Sequence, residues 1–286
     1  FEVLTMVALL EFRAAGVRAM VLEAGLGGRL DATRLRRSRV VVCTSIDLDH
    51  QEFLGETLPE IAQEKAAVIH GGARVVVAPQ APEVHAVLDA VAEREECSLD
   101  IAGPCKRPPR GLPGLHQRVN AGLAVAAVGA WRGTPRGVDE DLQILDDVRM
   151  LGRFEAIRRG STTAVFDVAH NPAGLRALAR TSRDRLGLPD TVLVGWSPNR
   201  PAPDMLHACP GGRMMGWVPV MPGDPTPAGP WTRVFGGPQD PEIAPWIRNN
   251  GPFALVCGSH QVVGPIRAEW AGVSAVDDPT LTDPTR

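Results

Sequence analysis

The residues Val40-Val41-Val42-Cys43-Thr44-Ser45-Ile46 carry no charge and run straight into Asp47-Leu48-Asp49-His50. A β-rich run that never alternates with charged residues is expected for a strand covered on both faces, the usual condition of a parallel sheet. The chain is thereby restricted to an architecture in which helices flank a sheet. A second apolar run, Val17 to Leu22, predicts another strand and leads to Glu23, followed by Gly25, Gly27 and Gly28. These glycines allow a tight turn and a close backbone approach to a ligand. In open parallel sheets ligands gather outside the carboxyl ends of the strands, so Glu23 and His50 are expected to converge on one cation. The plainer alternatives are a surface acid in a turn and a hydrogen-bonded loop histidine.

Strand and helix patterns then alternate. Phe1 to Ala15 has helical apolar spacing, with Val3, Leu4, Val7, Leu10 and Phe12 on one stripe. Thr57-Leu58-Pro59-Glu60 reads as a helix start with Thr57 as N-cap. The helix it opens carries Lys65 beside an apolar stripe. Arg74 to Ala78 reads as a strand, Pro82 to Arg94 as an amphipathic helix, and Gly114 to Val128 as an alanine-rich helix containing Asn120. The charged segment Asp139 to Arg149 marks a boundary, giving domains 1–147 and 148–270 and a disordered tail at 271–286. In the second domain, strands are expected at Phe154–Ile157, Thr162–Phe166, Thr191–Val194 and Phe253–Cys257, with a helix over Ala173–Arg185. Between Pro198 and Pro245 proline and glycine obscure any period.

Composition narrows the classes of partner. A net charge of -3 and a pI near 6.2 give no electrostatic basis for binding nucleic acid or a membrane surface. No apolar run approaches the roughly 20 residues that span a bilayer. Five scattered cysteines, an odd number without paired metal spacing, read as reduced thiols of a cytoplasmic protein. Of 30 basic residues only Lys65 and Lys106 are lysine. Arginine cannot shed its proton in a protein, so a lysine kept in such a chain is a candidate for chemistry that arginine cannot supply. Burial disfavours the charged form of an ammonium, and a neutral amine at Lys65 can take up carbon dioxide to become a carboxylate. A solvated lysine paired with Glu64 is the bland alternative.

Taken together, the motifs resemble a known family. Glu-Ala-Gly-Leu-Gly-Gly-Arg-Leu-Asp-Ala-Thr from Glu23, Ser-Ile-Asp-Leu-Asp-His from Ser45 and Ile-Ala-Gln-Glu-Lys-Ala from Ile61 occur in order. His-Gln-Arg-Val-Asn-Ala from His116, Gly-Arg-Phe-Glu from Gly152, Asp-Val-Ala-His-Asn-Pro from Asp167 and Gly258-Ser259 follow. The series is similar to that of the folylpolyglutamate synthase and dihydrofolate synthase family, within the Mur ligase superfamily, and covers Phe1 to about Trp270. The resemblance implies the remainder of a P-loop-type central ATPase domain, mostly parallel sheet with helices, followed by a smaller Rossmann-like α/β domain. It implies an ATP-dependent ligase that joins L-glutamate to a folate or pteroate carboxyl through an acyl phosphate, with magnesium. By this similarity Glu23 and His50 ligate magnesium and Lys65 is the carbamylated lysine. Arg153 reaches the ATP phosphates, Asn120 the adenine and Asp167 the ribose. His170 and Ser259 lie near the incoming amino acid, with Lys65, Arg153 and His170 as the catalytic set. Single-chain action is usual in this family.

The sequence also departs from the family pattern. Its glycine-rich loop ending in Gly-Lys-Ser, which cradles phosphates through backbone N–H groups, does not occur in these 286 residues. Phe1 opens directly on an apolar-periodic segment, so the chain reads as a piece of a longer one, inactive as an ATPase by itself. Trp196-Ser197-Pro198-Asn199-Arg200 stands where an acidic-lysine motif is expected, Arg34 where asparagine is usual, and Val168 where glycine is usual. Two other expectations remain open: a related ligase acting on another carboxylate, and a non-catalytic remnant that binds or regulates a partner.

Overall fold

The computed structural model describes residues 1–35, 38–134, 142–198, 200 and 202–272. The expected tail from residue 273 onward, and Asn199 within the departing motif, lie outside these described residues. The chain forms two compact units. The first comprises Phe1–Arg107 with Arg118–Gln143, and the second Pro108–Gln117 with Ile144–Arg286.

The first unit contains α1 (Glu2–Ala14), β1 (Val40–Cys43), α2 (Gln51–Leu54), α3 (Leu58–Ala66), β2 (Arg74–Val77), α4 (Pro82–Arg94) and β3 (Ser98–Ile101). It also holds all but the first turn of α5 (His116–Arg132). The strands form a parallel sheet in the order β1-β2-β3. β2 is central and covered on both faces. Val75 and Val77 pack with Ala62, Ala66, Val84 and Leu88 of α3 and α4. Val76 packs on the opposite face with Leu123 of α5. Each such buried aliphatic side chain contributes roughly 1.5–3 kcal/mol.

Two expectations for this unit need correction. Val40–Ile46 is not a strand covered on both faces: pairing ends at Cys43, β1 is an edge strand, and Val42 is 42% exposed. Val17–Leu22 forms no strand, and Val21 is 92% exposed. A strand needs a hydrogen-bonded neighbour for its N–H and C=O groups. This run pairs with none of the three strands of the described unit. Glu23 therefore does not stand at a strand end. α1 does form, yet it buries no residue, and Val3, Leu4 and Leu10 lie open.

The helix start at Thr57 is as the sequence predicts. Its side chain accepts from Glu60 N–H, and the Glu60 carboxylate accepts in return from Thr57 N–H at 3.0 Å. This reciprocal capping box satisfies N–H groups that the first turn leaves unpaired.

After α6 (Leu142–Asp146), the second unit contains β4 (Glu155–Arg159), β5 (Thr162–Asp167), α7 (Pro172–Arg185), β6 (Thr191–Gly195), α8 (Ala202–Ala208) and β7 (Met214–Trp217). It continues with β8 (Arg233–Val234), α9 (Ile243–Asn249), β9 (Phe253–Gly258) and α10 (His260–Ala271). The sheet order is β4-β5-β9-β6-β7-β8, with β4 antiparallel and the remaining strands parallel. Alternate residues divide the core. Ala164, Phe166, Leu193, Ala254 and Val256 pack with residues of α9 and α10. Val165, Val192, Val194, Leu255 and Cys257 pack with α7 and α8. Because β9, the last strand among the described residues, lies between β5 and β6, the carboxyl ends of these three strands stand side by side.

Candidate functional site

In the second unit, the ends of β5 and β9 bring several candidates together. Asp167 closes β5, and its two oxygens accept from Ala169 N–H and Phe154 N–H, both at 2.9 Å. Burial raises its carboxyl pKa from 3.8 to about 6, against the opposing pull of these two N–H groups, Arg153 and His170. The bond to Phe154 fixes the segment that carries Arg153. Gly152 and Phe154 on either side have φ of 64° and 51°. The left-handed region is unfavourable for phenylalanine, so this conformation is held by its surroundings. Glu155 completes the clamp, accepting from Gly152 N–H at 2.9 Å and pairing with Arg267 at 2.8 Å. Val168, in place of the usual glycine, is buried and packs against Gly152, where an added Cβ would lie 3.0 Å from it.

His170 is oriented by a 2.8 Å hydrogen bond between Nδ1 and Val168 C=O. Asn171 then caps α7, accepting from Gly174 N–H at 2.8 Å. The His260 ring lies 6.2 Å from that of His170. Desolvation, then the neighbouring Arg153 and His170, hold the pKa of His260 below its ordinary value. Ser259 caps α10 through a 3.2 Å bond from Gln261 N–H. Gly258 is obligatory: φ is 123°, and an added Cβ would collide with Gly195 C=O. Arg153, Asp167 and His170 thus form one electrostatic cluster, to which the structure adds His260. No motif pointed to His260, because its relation to His170 spans the distance from β5 to β9.

The first unit holds the other candidates. Glu23 is exposed and makes no hydrogen bond or ion pair among the described residues. Asp31, passed over by the motif reading, organises the glycine turn: its carboxylate accepts from Gly25 N–H at 2.9 Å, Leu26 N–H at 3.2 Å, and the backbone and hydroxyl of Thr33. Burial opposes its ionisation, but these donors together hold the carboxyl below its usual range. Its signal was the Asp-Ala-Thr spacing, since an Asp side chain commonly bonds the backbone two residues on. Gly28 lies against the last turn of α3, where a Cβ would stand 2.9 Å from Lys65 C=O. Arg29 pairs with Glu64 at 2.8 Å, so the Glu64 partner suggested for Lys65 is taken by Arg29. Lys65 is partly buried, and near enough to the Cys43 thiol for its charge to oppose the burial that still raises that thiol to about 11. It therefore lies toward the carboxyl end of β1.

Beyond β1, Gln80 bridges the loop: Ile46 N–H donates to its Oε1 at 2.9 Å, and its Nε2 donates to Thr44 C=O at 2.8 Å. His85 Nε2 in turn accepts from Gln80 N–H at 3.0 Å. His50 ends this loop with φ of 52°, its Nε2 3.8 Å from Asp49. Asn120 is exposed on α5.

A magnesium ion takes oxygen donors and commonly keeps several waters beside one or two carboxylates and substrate phosphates. Among the described residues no three His, Cys, Asp or Glu side chains stand together as a metal cage. The exposed Glu23 fits such a sparse site in donor type.

Comparison with known proteins resolves the ancestry. No family model matches the chain. A probable bifunctional folylpolyglutamate synthase/dihydropteroate synthase of Halobacterium salinarum is 34% identical over 244 residues, covering 73% of this chain and 29% of that protein. A dihydrofolate synthase/folylpolyglutamate synthase of Mycobacterium tuberculosis is 35% identical over 215 residues, covering 63% and 44%. The folylpolyglutamate synthase of Mycobacterium tuberculosis solved with ADP superposes with a TM-score of 0.82 at 27% identity, over 94% of this chain and 72% of that one. The chain belongs to the folylpolyglutamate synthase/dihydrofolate synthase family. It spans less than half the length of those two curated relatives, 29% and 44%. The family's mixed α/β fold, with parallel sheets flanked by helices, is present in both units.

Proposed function

We propose that the protein of which these residues form part is an ATP-dependent carboxylate–amine ligase that adds L-glutamate to a folate or dihydropteroate. The observation that carries this reading is the Asp167 clamp. A part-buried carboxylate at a strand end fixes a strained backbone so that Arg153 is held between two left-handed residues. A fixed guanidinium suits the equatorial oxygens of a transferring phosphoryl group. In this reading Arg153 meets the ATP phosphates, Asp167 the ribose and Asn120 the adenine. The substrate carboxylate takes the γ-phosphoryl group, and the glutamate amine then displaces phosphate from the acyl phosphate. His170 and Ser259 border the amino acid, and His170 accepts the proton the amine releases. Magnesium, held by Glu23 and His50 with a carbamylated Lys65 nearby, would supply neutralisation of phosphate charge. Folylpolyglutamate synthases solved in complex with ADP, AMPPCP and folate support this choice of ligands. Monomeric action in the cytoplasm, and domain limits at 1–147 and 148–270, belong to the same proposal.

The test is glutamate incorporation by the full-length protein with ATP and magnesium, using dihydropteroate and tetrahydrofolate separately. Arg153→Ala is expected to lower kcat at least a hundredfold with an unchanged melting profile, and Lys65→Ala to abolish ligation. Full turnover in Arg153→Ala would remove the clamp from the mechanism.

A further inference from the structure

Two thiols meet on one face of the second sheet. Cys257, in β9, is fully buried and packs with Val165, Val192, Val194 and Leu255 on the side covered by α7 and α8. Cys209 is the residue after α8, where its N–H donates to Leu206 C=O at 3.2 Å. Its side chain packs against the same cluster and remains partly exposed. The two thiols are hydrogen-bonded to each other. That bond, then burial and the neighbouring Cys209 and Asp167, hold the Cys257 thiol well above its ordinary pKa. In the β5–β9 ladder Cys257 is paired with Asp167, and Gly258 and Ser259 follow it in the chain. The other cysteines are placed differently: Cys97 donates to His70 C=O at 3.0 Å, and Cys43 and Cys105 are buried.

A disulfide demands a set distance and orientation, so thiols already in contact need the least backbone movement to be joined. Exposure fixes the order of events, because an oxidant reaches Cys209 before the buried Cys257. With hydrogen peroxide, Cys209 loses its proton to water and its thiolate attacks one peroxide oxygen. The S–O bond forms, the O–O bond breaks, and the hydroxide that leaves is protonated to water. The Cys257 sulfur then attacks the sulfur of the Cys209 sulfenic acid. The S–S bond forms, the S–O bond breaks, and the departing hydroxide takes the Cys257 proton as water. Two thiols and one peroxide thus give one disulfide and two waters, the sulfurs losing the two electrons that the peroxide gains. We propose that Cys209 and Cys257 form a reversible intramolecular disulfide, a redox-sensitive site beside Asp167 at the carboxyl end of β9. Cys209 is the thiol that meets the oxidant, and Cys257, which burial would otherwise make inert, is the one that resolves it.

Its test is treatment of the full chain with hydrogen peroxide under native conditions, followed by alkylation of the remaining thiols and peptide mapping by mass spectrometry. Two of the five free thiols should be lost, recovered as one peptide pair joined through Cys209 and Cys257. Alkylation of Cys97 should be unchanged, and dithiothreitol should return both thiols in full. In Cys209→Ser, Cys257 should stay reduced under the same treatment. In Cys257→Ser, Cys209 should pass on to the sulfinic acid, which dithiothreitol does not reverse, because nothing resolves its sulfenic acid. Should Cys257→Ser fail to fold, Cys209→Ser decides alone, since it alters a partly exposed position at the end of a helix. Retention of both thiols, sulfinic acid at Cys209 of the unaltered chain without a cross-link, or a cross-link from either thiol to another cysteine would overturn the assignment. The measurement requires neither nucleotide nor turnover, so it stands apart from the outcome of the ligation assay.

Discussion

Replacing Asp167 by asparagine gives the sharpest test of the candidate site. Burial outweighs two N–H donors and a nearby arginine, and lifts its carboxyl from 3.8 to about 6. A group whose pKa is raised in the folded state contributes stability that is fully present below its unfolded pKa and is lost as pH rises through the folded one. The difference between 3.8 and about 6 corresponds to about 3 kcal/mol, lost between roughly pH 4 and pH 6. Asparagine does not titrate, so the wild-type advantage over Asp167→Asn should shrink by about that amount across the interval. Above pH 6 the variant still has a cost of about 1–3 kcal/mol, because one amide oxygen cannot accept from both Phe154 and Ala169. Trp196, Trp217 and Trp231 cluster in the same unit, with ring centroids 4.8 and 5.3 Å apart in successive pairs, so tryptophan fluorescence reports its unfolding. Urea melts of both proteins at several pH values give the difference, and carbon-detected NMR of the carboxyl gives the titration. A midpoint near 4, or a difference that stays flat with pH, would refute the burial argument.

Two further substitutions probe how the strand ends are built. Gly258→Ala places a methyl group against Gly195 C=O at φ 123°; the strain should cost at least about 3 kcal/mol and appear as a lower urea midpoint for the second unit. Gln80→Leu removes both bonds to the β1 loop while keeping bulk. Amide exchange at Ile46 should rise at least tenfold, and in the full-length protein the magnesium requirement should increase more than kcat falls; protection equal to wild type would show that Gln80 does not position the loop.

What the sequence disclosed and what it concealed divide by range. The helix Pro82–Arg94 and the Thr57 capping box were legible because both are set by residues a few positions apart. Arg153, Asp167 and His170 were legible as candidates because they stand at or beside a strand end in short motifs. Their mutual arrangement was not. Glu155 is clamped by Arg267, 112 residues away. The β1 loop is held by Gln80, 34 residues from Ile46. No local pattern encodes either pairing. Val17–Leu22 shows the same limit from the other side: its residues suit a strand, but a strand exists only with a neighbour to complete its hydrogen bonds.

The same reasoning separates the candidate residues of the two units. In the second unit, the sheet itself positions the chemistry. β9 inserts between β5 and β6, the turn after Asp167 orients His170, and the Asp167 carboxylate fixes the segment of Arg153. The unit therefore presents an ordered cationic and acid–base surface from its own residues. In the first unit the glycine turn is ordered by Asp31 and by its seat on α3, yet Glu23 points into solvent without a partner among the described residues. A lone exposed carboxylate binds a divalent cation weakly unless phosphate oxygens complete the shell. Metal and nucleotide should consequently bind as one unit here: magnesium alone should leave Glu23 unaffected, and the nucleotide should be what brings the cation to it.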